Sequence, residues 1–342
     1  MKILFRLATV GLSLLIAVVL AEVVLRAMNM GFGNSPMEPD QVLHHVHPRS
    51  YSFIQQHPSG ELGGFEIEYN SEGRVYRGHA AKTNEPSTGC RVALMGDSFV
   101  EAGQVPFAQS FAGLLEAASP NCAVRDYGTR SYSPAIYLVQ WTTVVSTWKP
   151  TRVFLLLFGG DLREDVDYLK SASLDAQGLP TAIHGPEDGW LFSQLRRSYV
   201  ARFVRMITQR MAWTMEHHGE DQFTIGGVVE EHPEWSGPTP GIVEEINRRV
   251  SANGGTLTLM VVPSRYRLMG DGRIPITSDL HDTVQAWARK HGIDFLDLNR
   301  PFDGAAKAGK QLFFLQDIHF TADGHQVVAD AIAKQYPQLV GH

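Results

Sequence analysis

The sequence contains little cysteine and no excess of basic residues. Only two of its 342 residues are cysteines, so a framework of several disulfides is excluded and at most one bridge within the chain can form. The formal net charge is −6 at pH 7, and no cluster of Lys or Arg offsets it. Because nucleic-acid binding requires a basic surface that neutralises phosphates, we exclude nucleic acid as a partner.

Residues at metal-ligand spacing are also missing. The histidine-rich stretch with His44, His45 and His47 has no cysteine or carboxylate at ligand spacing, and adjacent residues of an extended segment point to opposite faces. We therefore expect a surface loop here and no metal site. Nothing in the sequence implies an organic cofactor.

Long apolar runs are scarce except at the start of the chain. Lys2 and Arg6 precede an uncharged stretch of fifteen residues that ends at Ala21. That stretch is shorter than the roughly 20 residues that span hydrocarbon, but 3–25 is long enough if the Arg6 side chain extends to the interface. We expect residues 1–28 to be a signal anchor in the cytoplasmic membrane, with a cleaved signal peptide as the alternative. Both place the rest of the chain in the periplasm or outside the cell.

The remainder divides by composition into two parts. Residues 29–88 are rich in Gly, Pro, His and polar residues, which predicts a linker followed by irregular or short β structure. From residue 89 onward, apolar strand patterns alternate with helical ones. Strands are predicted at 91–96, 123–128, 152–158, 256–262 and 293–298, and helices at 107–118, 134–148, 241–252, 279–290 and 323–335.

This alternation predicts an α/β fold, a three-layer sandwich with a mostly parallel, flavodoxin-like five-stranded sheet. It stops between residues 162 and 240. A stretch of that length between consecutive strands far exceeds an ordinary connection, so we expect a lid-like insertion there. The domain at 89–342 therefore contains an inserted segment.

The two cysteines, Cys90 and Cys122, directly precede the first two predicted strands. Strands one and two are commonly neighbours in such a sheet, which would bring the two thiols to the same edge. A disulfide is one possibility in an exported protein, and two buried thiols are the other.

Chemistry in an open α/β sheet is expected beyond the carboxyl ends of the strands. The first strand ends in Gly96-Asp97-Ser98, and Asp317-Ile318-His319 precedes the last helix. A serine becomes a nucleophile when a histidine oriented by a carboxylate activates it. Asp317 and His319, two residues apart on an extended segment, would project to the same side.

These motifs resemble those of the SGNH/GDSL hydrolase family, in a membrane-anchored bacterial form. The resemblance lies in GDSF at 96–99, DYGTRSYSP at 126–134 and DIHFTADGH at 317–325. It implies that Ser98 is the nucleophile and that Asp317 and His319 complete the triad. It also implies an oxyanion hole formed by the backbone N–H groups of Ser98 and Gly128.

One block departs from the family pattern. Gly160 occupies the position after strand three where the family has an asparagine that completes the oxyanion hole, and Asp161 follows it. Loss of one such donor typically costs roughly 10²–10³ in rate. A backbone N–H at Gly160 is a possible replacement, and we expect the Asp161 carboxylate to point away from the hole.

Three further residues are possible substrate-lining positions: Asp161, Arg265 after strand four, and His325 at the start of the last helix. For Arg265 the alternative is a surface arginine, and for His325 it is packing beside the site.

The resemblance and the export signal together imply a serine esterase that acts on acyl esters of envelope or extracellular carbohydrate or lipid. Two alternatives remain open. One is an O-acyltransferase in polysaccharide modification, with the same triad and a sugar acceptor. The other is a non-catalytic glycan-binding or assembly protein on the same fold, a possibility raised by Gly160.

Overall fold

The computed structural model describes residues 2–28, 30–76, 89–187, 189–216, 234–269 and 280–341. Its α-helices are α1 (Lys2–Ala27), α2 (Ser98–Glu101), α3 (Phe111–Ala118), α4 (Pro134–Thr143), α5 (Asp161–Tyr168), α6 (Trp190–Arg197), α7 (Tyr199–Glu216), α8 (Thr239–Ala252), α9 (Arg265–Met269), α10 (Leu280–Lys290), α11 (Asn299–Lys307) and α12 (Ala322–Gln335). Short 3₁₀ turns lie at Phe107–Gln109, Val145–Trp148, Leu169–Ser171 and Pro337–Leu339.

The strands fall into a main sheet and smaller ones. The strands before the first cysteine are β1 (Phe32–Gly33), β2 (Glu38–Asp40), β3 (His44–Val46), β4 (Tyr51–Gln56), β5 (Gly63–Tyr69) and β6 (Val75–Tyr76). Those after it are β7 (Arg91–Met95), β8 (Ala123–Asp126), β9 (Arg152–Leu157), β10 (Ala172–Leu174), β11 (Pro180–Ile183), β12 (Thr256–Val261) and β13 (Asp294–Phe295).

The main sheet has five strands in the order β13-β12-β9-β7-β8, and every neighbouring pair is parallel. If these five strands are numbered 1 to 5 in the order in which they occur in the chain, the sheet reads 2-1-3-4-5 starting from β8. This is the flavodoxin-like arrangement, so the predicted fold class is confirmed. The strand order reverses between β7 and β9, and in such sheets this switch point is where ligands bind.

Helices cover both faces of the sheet. On one face Leu94 and Phe154 are buried together with Phe111 of α3 and Val328 of α12. The other face buries residues such as Leu155 against α4, α8 and α10. Because both faces are covered, the central strands are apolar along their whole length, as the sequence predicted.

Residues 30–76, where a linker followed by irregular or short β structure was predicted, contain two small sheets. Strands β1, β4, β5 and β6 make a four-stranded sheet, and β2 pairs with β3 in a separate hairpin. Phe53, Ile67 and Tyr69 form a small core within the larger sheet. This sheet is difficult to predict from the sequence because its strands are short and are buried on one face only.

The histidines of this segment do not lie on a surface loop, contrary to expectation. His45 and His47 are buried, and each ring contacts a backbone carbonyl, that of Arg130 and of Pro36 respectively. Histidine rings in this setting bridge the segment to the rest of the protein. Among the described residues no group of three or more His, Cys, Asp or Glu side chains could hold a metal ion.

A buried carboxylate, Glu101, joins this segment to the helix that begins with Ser98. Its oxygens accept hydrogen bonds from Ser35 Oγ at 2.5 Å, Tyr69 Oη at 3.2 Å and the Arg130 N–H at 2.6 Å. His47 Nε2 lies 3.2 Å from the same carboxylate. Burial alone would raise the pKa of Glu101, but His47 and these donors outweigh it and lower the pKa to about 2.

Replacing Glu101 with Gln should destabilise the fold by about 3 kcal/mol, since it removes the buried charge that accepts hydrogen bonds from Ser35, Tyr69 and the Arg130 N–H. Urea unfolding of the full chain in detergent measures this loss, and Glu187→Gln, at an exposed position, is the matched control. A midpoint equal to that of the control variant would mean that the Glu101 network contributes nothing to stability.

Cys90 and Cys122 form a disulfide, with their Cα atoms 4.7 Å apart. The two residues precede β7 and β8, which pair directly, so the sequence order and the sheet order coincide. Of the two possibilities left open by the sequence, the structure has the bridge. Disulfides persist in oxidising compartments and are rare in the cytoplasm of most organisms.

Helix α1 is long and apolar enough to cross a membrane, with a mean hydropathy of 2.5 and none of its apolar window buried. Two other helices adjoin it. Helix α7 contacts both α1 and β1, and α6 leads directly into α7. In the described part of the predicted insertion, α7 thus lies against the small N-terminal sheet.

Candidate functional site

Ser98 lies at the turn between β7 and α2. Asp97 is the N-cap of α2, and its Oδ1 accepts a hydrogen bond from the Phe99 N–H at 2.9 Å. This cap fixes Ser98 as the first residue of the helix, where backbone N–H groups have no partner within the helix. The side chain of Ser98 is half-buried at the carboxyl end of the sheet, as predicted.

The structure brings the three predicted triad residues together. His319 Nε2 lies 2.6 Å from Ser98 Oγ, and His319 Nδ1 lies 2.5 Å from Asp317 Oδ1. The side chains of His319 and Asp317 are each only 12% exposed. Hydrogen bonds of this length, with the imidazole between a hydroxyl and a carboxylate, are the geometry that activates a serine.

Asp317 also fixes the tautomer of the imidazole. Burial alone would raise its pKa, but His319 outweighs burial through its charge, ring and backbone N–H and holds the pKa of Asp317 well below the usual range. An ionised Asp317 accepts a hydrogen bond from the Nδ1–H group, which keeps the proton on Nδ1 and leaves Nε2 free to accept the proton of Ser98. The backbone at 315–319 is bent and not extended as predicted, because Asp317 Oδ1 caps the His319 N–H at 2.9 Å.

Two charged side chains from other parts of the chain form hydrogen bonds with the loop that carries Asp317. Glu61 accepts hydrogen bonds from the N–H groups of Leu315 and Gln316 at 2.5 and 2.6 Å. Arg265 Nη2 donates to the carbonyls of Phe314 and Leu315 at 3.1 and 2.6 Å. Arg265 is buried, so it neither lines an open substrate surface nor lies on the protein surface, and both expectations for it were wrong.

A second histidine, His57, faces the triad carboxylate. Its Nε2 is 3.6 Å from Asp317 Oδ2, its Nδ1 contacts Ser59 Oγ at 2.7 Å, and its ring packs edge-on against Trp213 of α7. Asp317 therefore lies between two imidazoles. Sequence reasoning missed His57 and Glu61 because they come from the segment taken as a linker, some 250 residues away along the chain.

Gly128 packs against the C-terminal end of α2, where a Cβ would come within 2.3 Å of the Glu101 backbone nitrogen. Only glycine permits this approach. Its N–H donates to Asp126 Oδ1 at 2.7 Å, so this predicted oxyanion donor already has an intramolecular acceptor. Its role toward an oxyanion stays a prediction, and the Ser98 N–H is the other donor at this edge.

Gly160 precedes α5 and lies beneath an aromatic ring. A Cβ at this position would come within 2.9 Å of the Phe158 ring, which packs against Phe99, which in turn packs against the ring of His319. The space of the family's asparagine is thus bordered by Phe158. An asparagine here would fit only if that ring moved.

Asp161 turns inward, away from any oxyanion, as expected. It is 1% exposed, and its Oδ2 accepts from the Phe158 N–H at 3.1 Å. Burial and the neighbouring Asp97 raise its pKa well above the usual value, and burial raises that of Asp97 to about 6. This shift favours the neutral form of Asp161. It lines the interior and not a substrate surface.

Glu164 belongs to the same acidic layer, and burial followed by the charge of Asp97 raises its pKa to about 7. In the unfolded chain it ionises near 4.5, so the folded state loses stability as pH rises from about 4.5 to 7. Glu164→Gln should therefore stabilise the protein by on the order of 1–2 kcal/mol at pH 8 and by much less at pH 4.5.

Denaturant unfolding at both pH values measures this difference. Glu187→Gln, at an exposed position, is the control and should show no such pH dependence. An equal effect of Glu164→Gln at the two pH values would contradict the assigned shift.

His325 packs in the core next to the site and does not line a substrate surface. It is 1% exposed, and its ring stacks on Phe111 and meets Phe320 edge-on. Burial lowers its pKa to about 3, so the imidazole is neutral. Of the two expectations for His325, the structure matches packing beside the site.

Parts of the chain are similar to known proteins. Residues 238–341 match the family described as the SGNH hydrolase-like domain of the acetyltransferase AlgX. The chain is also 31% identical over 200 residues to a "Probable alginate O-acetylase AlgJ" of Pseudomonas fluorescens. That match covers 57% of this chain and 42% of the relative, so the chain spans less than half of the relative's length.

Among solved structures, similarity extends to hydrolases at low sequence identity. LAE5, an α/β hydrolase from the metagenome of Lake Arreo, is 16% identical with a TM-score of 0.43, covering 74% of this chain and 97% of that one. A G-D-S-L family lipolytic protein from Veillonella parvula is 16% identical with a TM-score of 0.40, covering 73% and 100%. The acetylxylan esterase Axe2 from Geobacillus stearothermophilus is 14% identical with a TM-score of 0.40, covering 74% and 96%.

Proposed function

We propose that this chain, whose residues 238–341 match an SGNH hydrolase-like domain, is a serine acyltransferase that delivers acyl groups to hydroxyls of a carbohydrate outside the cytoplasm. The observation that carries the proposal is the pair of hydrogen bonds from Ser98 through His319 to Asp317. Such a chain raises the nucleophilicity of a serine toward an ester carbonyl.

The reaction proceeds through an acyl-enzyme. Ser98 Oγ bonds to the carbonyl carbon of the donor ester while its proton passes to His319 Nε2, and Asp317 steadies the resulting imidazolium. The leaving alcohol departs with that proton. A sugar hydroxyl then gives its proton to His319 and attacks the acyl carbon, and Ser98 regains a proton as its ester bond breaks. Where water takes the place of the sugar, the same steps make the enzyme an esterase.

Acetyl is the acyl group that the similar proteins favour. The matched family is described as an acetyltransferase, and the matched relative is named as an alginate O-acetylase. A small acyl group also suits the site, because the Phe99 ring packs beside His319 and is itself backed by Phe158. We therefore propose a polysaccharide hydroxyl as acceptor and an acetyl ester as donor.

Two features support a location outside the cytoplasm. The disulfide between Cys90 and Cys122 requires an oxidising environment to persist. Helix α1 has the length and hydropathy of a membrane span. We propose that α1 anchors the domain to the cytoplasmic membrane, with residues from 28 onward on its outer side.

Partitioning of the acyl-enzyme tests the choice between sugar and water. The full chain in detergent is incubated with 4-nitrophenyl acetate as the acetyl donor and alginate oligosaccharides as the acceptor. Dextran oligosaccharides serve as the control acceptor. We expect nitrophenol release to be matched by acetylated alginate in the mass spectrum, with free acetate as the minor product.

Other outcomes select the alternatives. Free acetate alone, with either acceptor, would establish an esterase and overturn the acceptor. Nitrophenol release no faster than that of Ser98→Ala would overturn acyl transfer altogether and favour the non-catalytic glycan-binding alternative.

A further inference from the structure

Helices α6 and α7 carry a group of exposed apolar side chains. Six large apolar side chains on them are each at least 39% exposed: Phe192, Leu195, Val204, Ile207, Met211 and Met215. The four on α7 recur at intervals of three and four residues, which places them in one stripe along the helix. We name these six residues the apolar stripe.

The opposite side of α7 is fixed to the small N-terminal sheet. Tyr199 donates to the Ser52 carbonyl at 2.9 Å, Arg202 donates to the Asn34 carbonyl at 2.9 Å, and Phe203 packs on Phe32. The helix therefore has one docked face and one exposed apolar face. A solvated surface helix is normally polar on the exposed face.

The junction of α6 and α7 is tied to the last two turns of α1. Glu22 accepts hydrogen bonds from the Tyr199 and Val200 N–H groups at 3.0 and 2.9 Å, and Arg26 Nη2 donates to the Arg197 carbonyl at 2.9 Å. Glu22 is the first charged residue after the apolar stretch of α1. If α1 spans the membrane, this junction lies where the span leaves the hydrocarbon.

The charge of the two helices also suits an anionic lipid surface. They carry five arginines and one acidic residue, Glu216, whereas the whole chain has a net charge of −6. Arg196, Arg197, Arg205 and Arg210 are all exposed. Exposed apolar residues flanked by arginines are the composition of helices that lie in the membrane interface.

We propose that α6 and α7 lie in the outer interface of the membrane that holds α1, with the apolar stripe inserted among the lipids. This inference rests on the proposed membrane location. Helix α7 is 18 residues, about 27 Å, long. Its far end carries Trp213, which contacts His57 beside Asp317. The triad is thereby held near the lipid surface.

Nitroxide labels on the full chain in vesicles of phosphatidylethanolamine and phosphatidylglycerol test the proposal. Single cysteines replace Phe192, Ile207 and Met211, and Lys334→Cys on the exposed side of α12 is the aqueous control. Collision rates with oxygen and with a water-soluble nickel chelate give the depth of each label. The labels on the apolar stripe should lie about 5–10 Å into the headgroup and acyl boundary.

A further label at Leu14 in α1 separates failure of the inference from failure of its premise. Stripe labels as accessible to nickel as the Lys334 label, with the Leu14 label buried in hydrocarbon, would overturn the interfacial placement. A Leu14 label accessible to nickel would overturn the membrane span and the inference together. Thermal unfolding of each labelled variant confirms that its fold is retained.

Discussion

Ser98→Ala is expected to lower kcat for release of nitrophenol from 4-nitrophenyl acetate by about 10⁶, to the level left by binding alone. The loss is large because no other hydroxyl lies against His319 Nε2, which Ser98 Oγ approaches to 2.6 Å, in the described part of the chain. KM should change little, since the hydroxyl is a small part of any substrate contact.

Ser173→Ala is the matched control. Ser173 also contacts a histidine, His184, at 2.7 Å, but on the exposed hairpin of β10 and β11. This variant should retain full activity. A Ser98→Ala protein that still turns over the ester at the wild-type rate would remove Ser98 from the mechanism.

Asp317→Asn should lower kcat by about 10⁴ while the protein stays folded. The amide NH2 can donate a hydrogen bond to Nδ1, which favours the His319 tautomer that carries its proton on Nε2 and cannot accept the proton of Ser98. The neutral amide also lacks the charge that stabilises an imidazolium. Because Glu61 and Arg265 hold the loop through its backbone at residues 314–316, the loop should keep its position in the variant.

Steady-state kinetics of Asp317→Asn and of Asp323→Asn, an acidic residue on the surface of α12, measures the effect. A loss confined to KM would indicate a binding role for Asp317 in place of an orienting one. Equal losses in both variants would indicate a general effect of charge near the site.

The sheet and the triad were predictable because both depend on local patterns. Continuously apolar strands such as 152–158 predicted a sheet covered on both faces, and the short blocks around Ser98 and His319 resembled the family closely. The strand at 293–298 was overstated, since only Asp294–Phe295 pairs with β12 at the edge of the sheet.

The supports of the site could not be predicted, since they are contacts between distant parts of the chain. Glu61 and Glu101 look like ordinary surface acids in the sequence, yet each accepts hydrogen bonds that fasten the N-terminal segment to one half of the triad. Likewise Arg265 follows a strand at the active-site edge but turns inward to bind carbonyls. Burial of this kind depends on tertiary packing, which sequence periodicity does not encode.

Gly160 illustrates a limit of motif comparison. The sequence presents it as a missing oxyanion donor, whereas the structure shows a second reason for glycine, the Phe158 ring 2.9 Å from the position of a Cβ. In the same region, burial raises the pKa of Asp161 and favours its neutral form. That backbone N–H groups stabilise an oxyanion here stays a prediction.

Fluorophosphonate labelling of the full chain, followed by mass spectrometry of the modified peptide, tests the central claim most directly. The account predicts covalent modification at Ser98 in the wild type and its loss in His319→Ala, because the reagent reacts with a serine that a histidine has activated. A folded wild-type protein that takes up no label, or one labelled equally in His319→Ala, would contradict an activated nucleophile at Ser98.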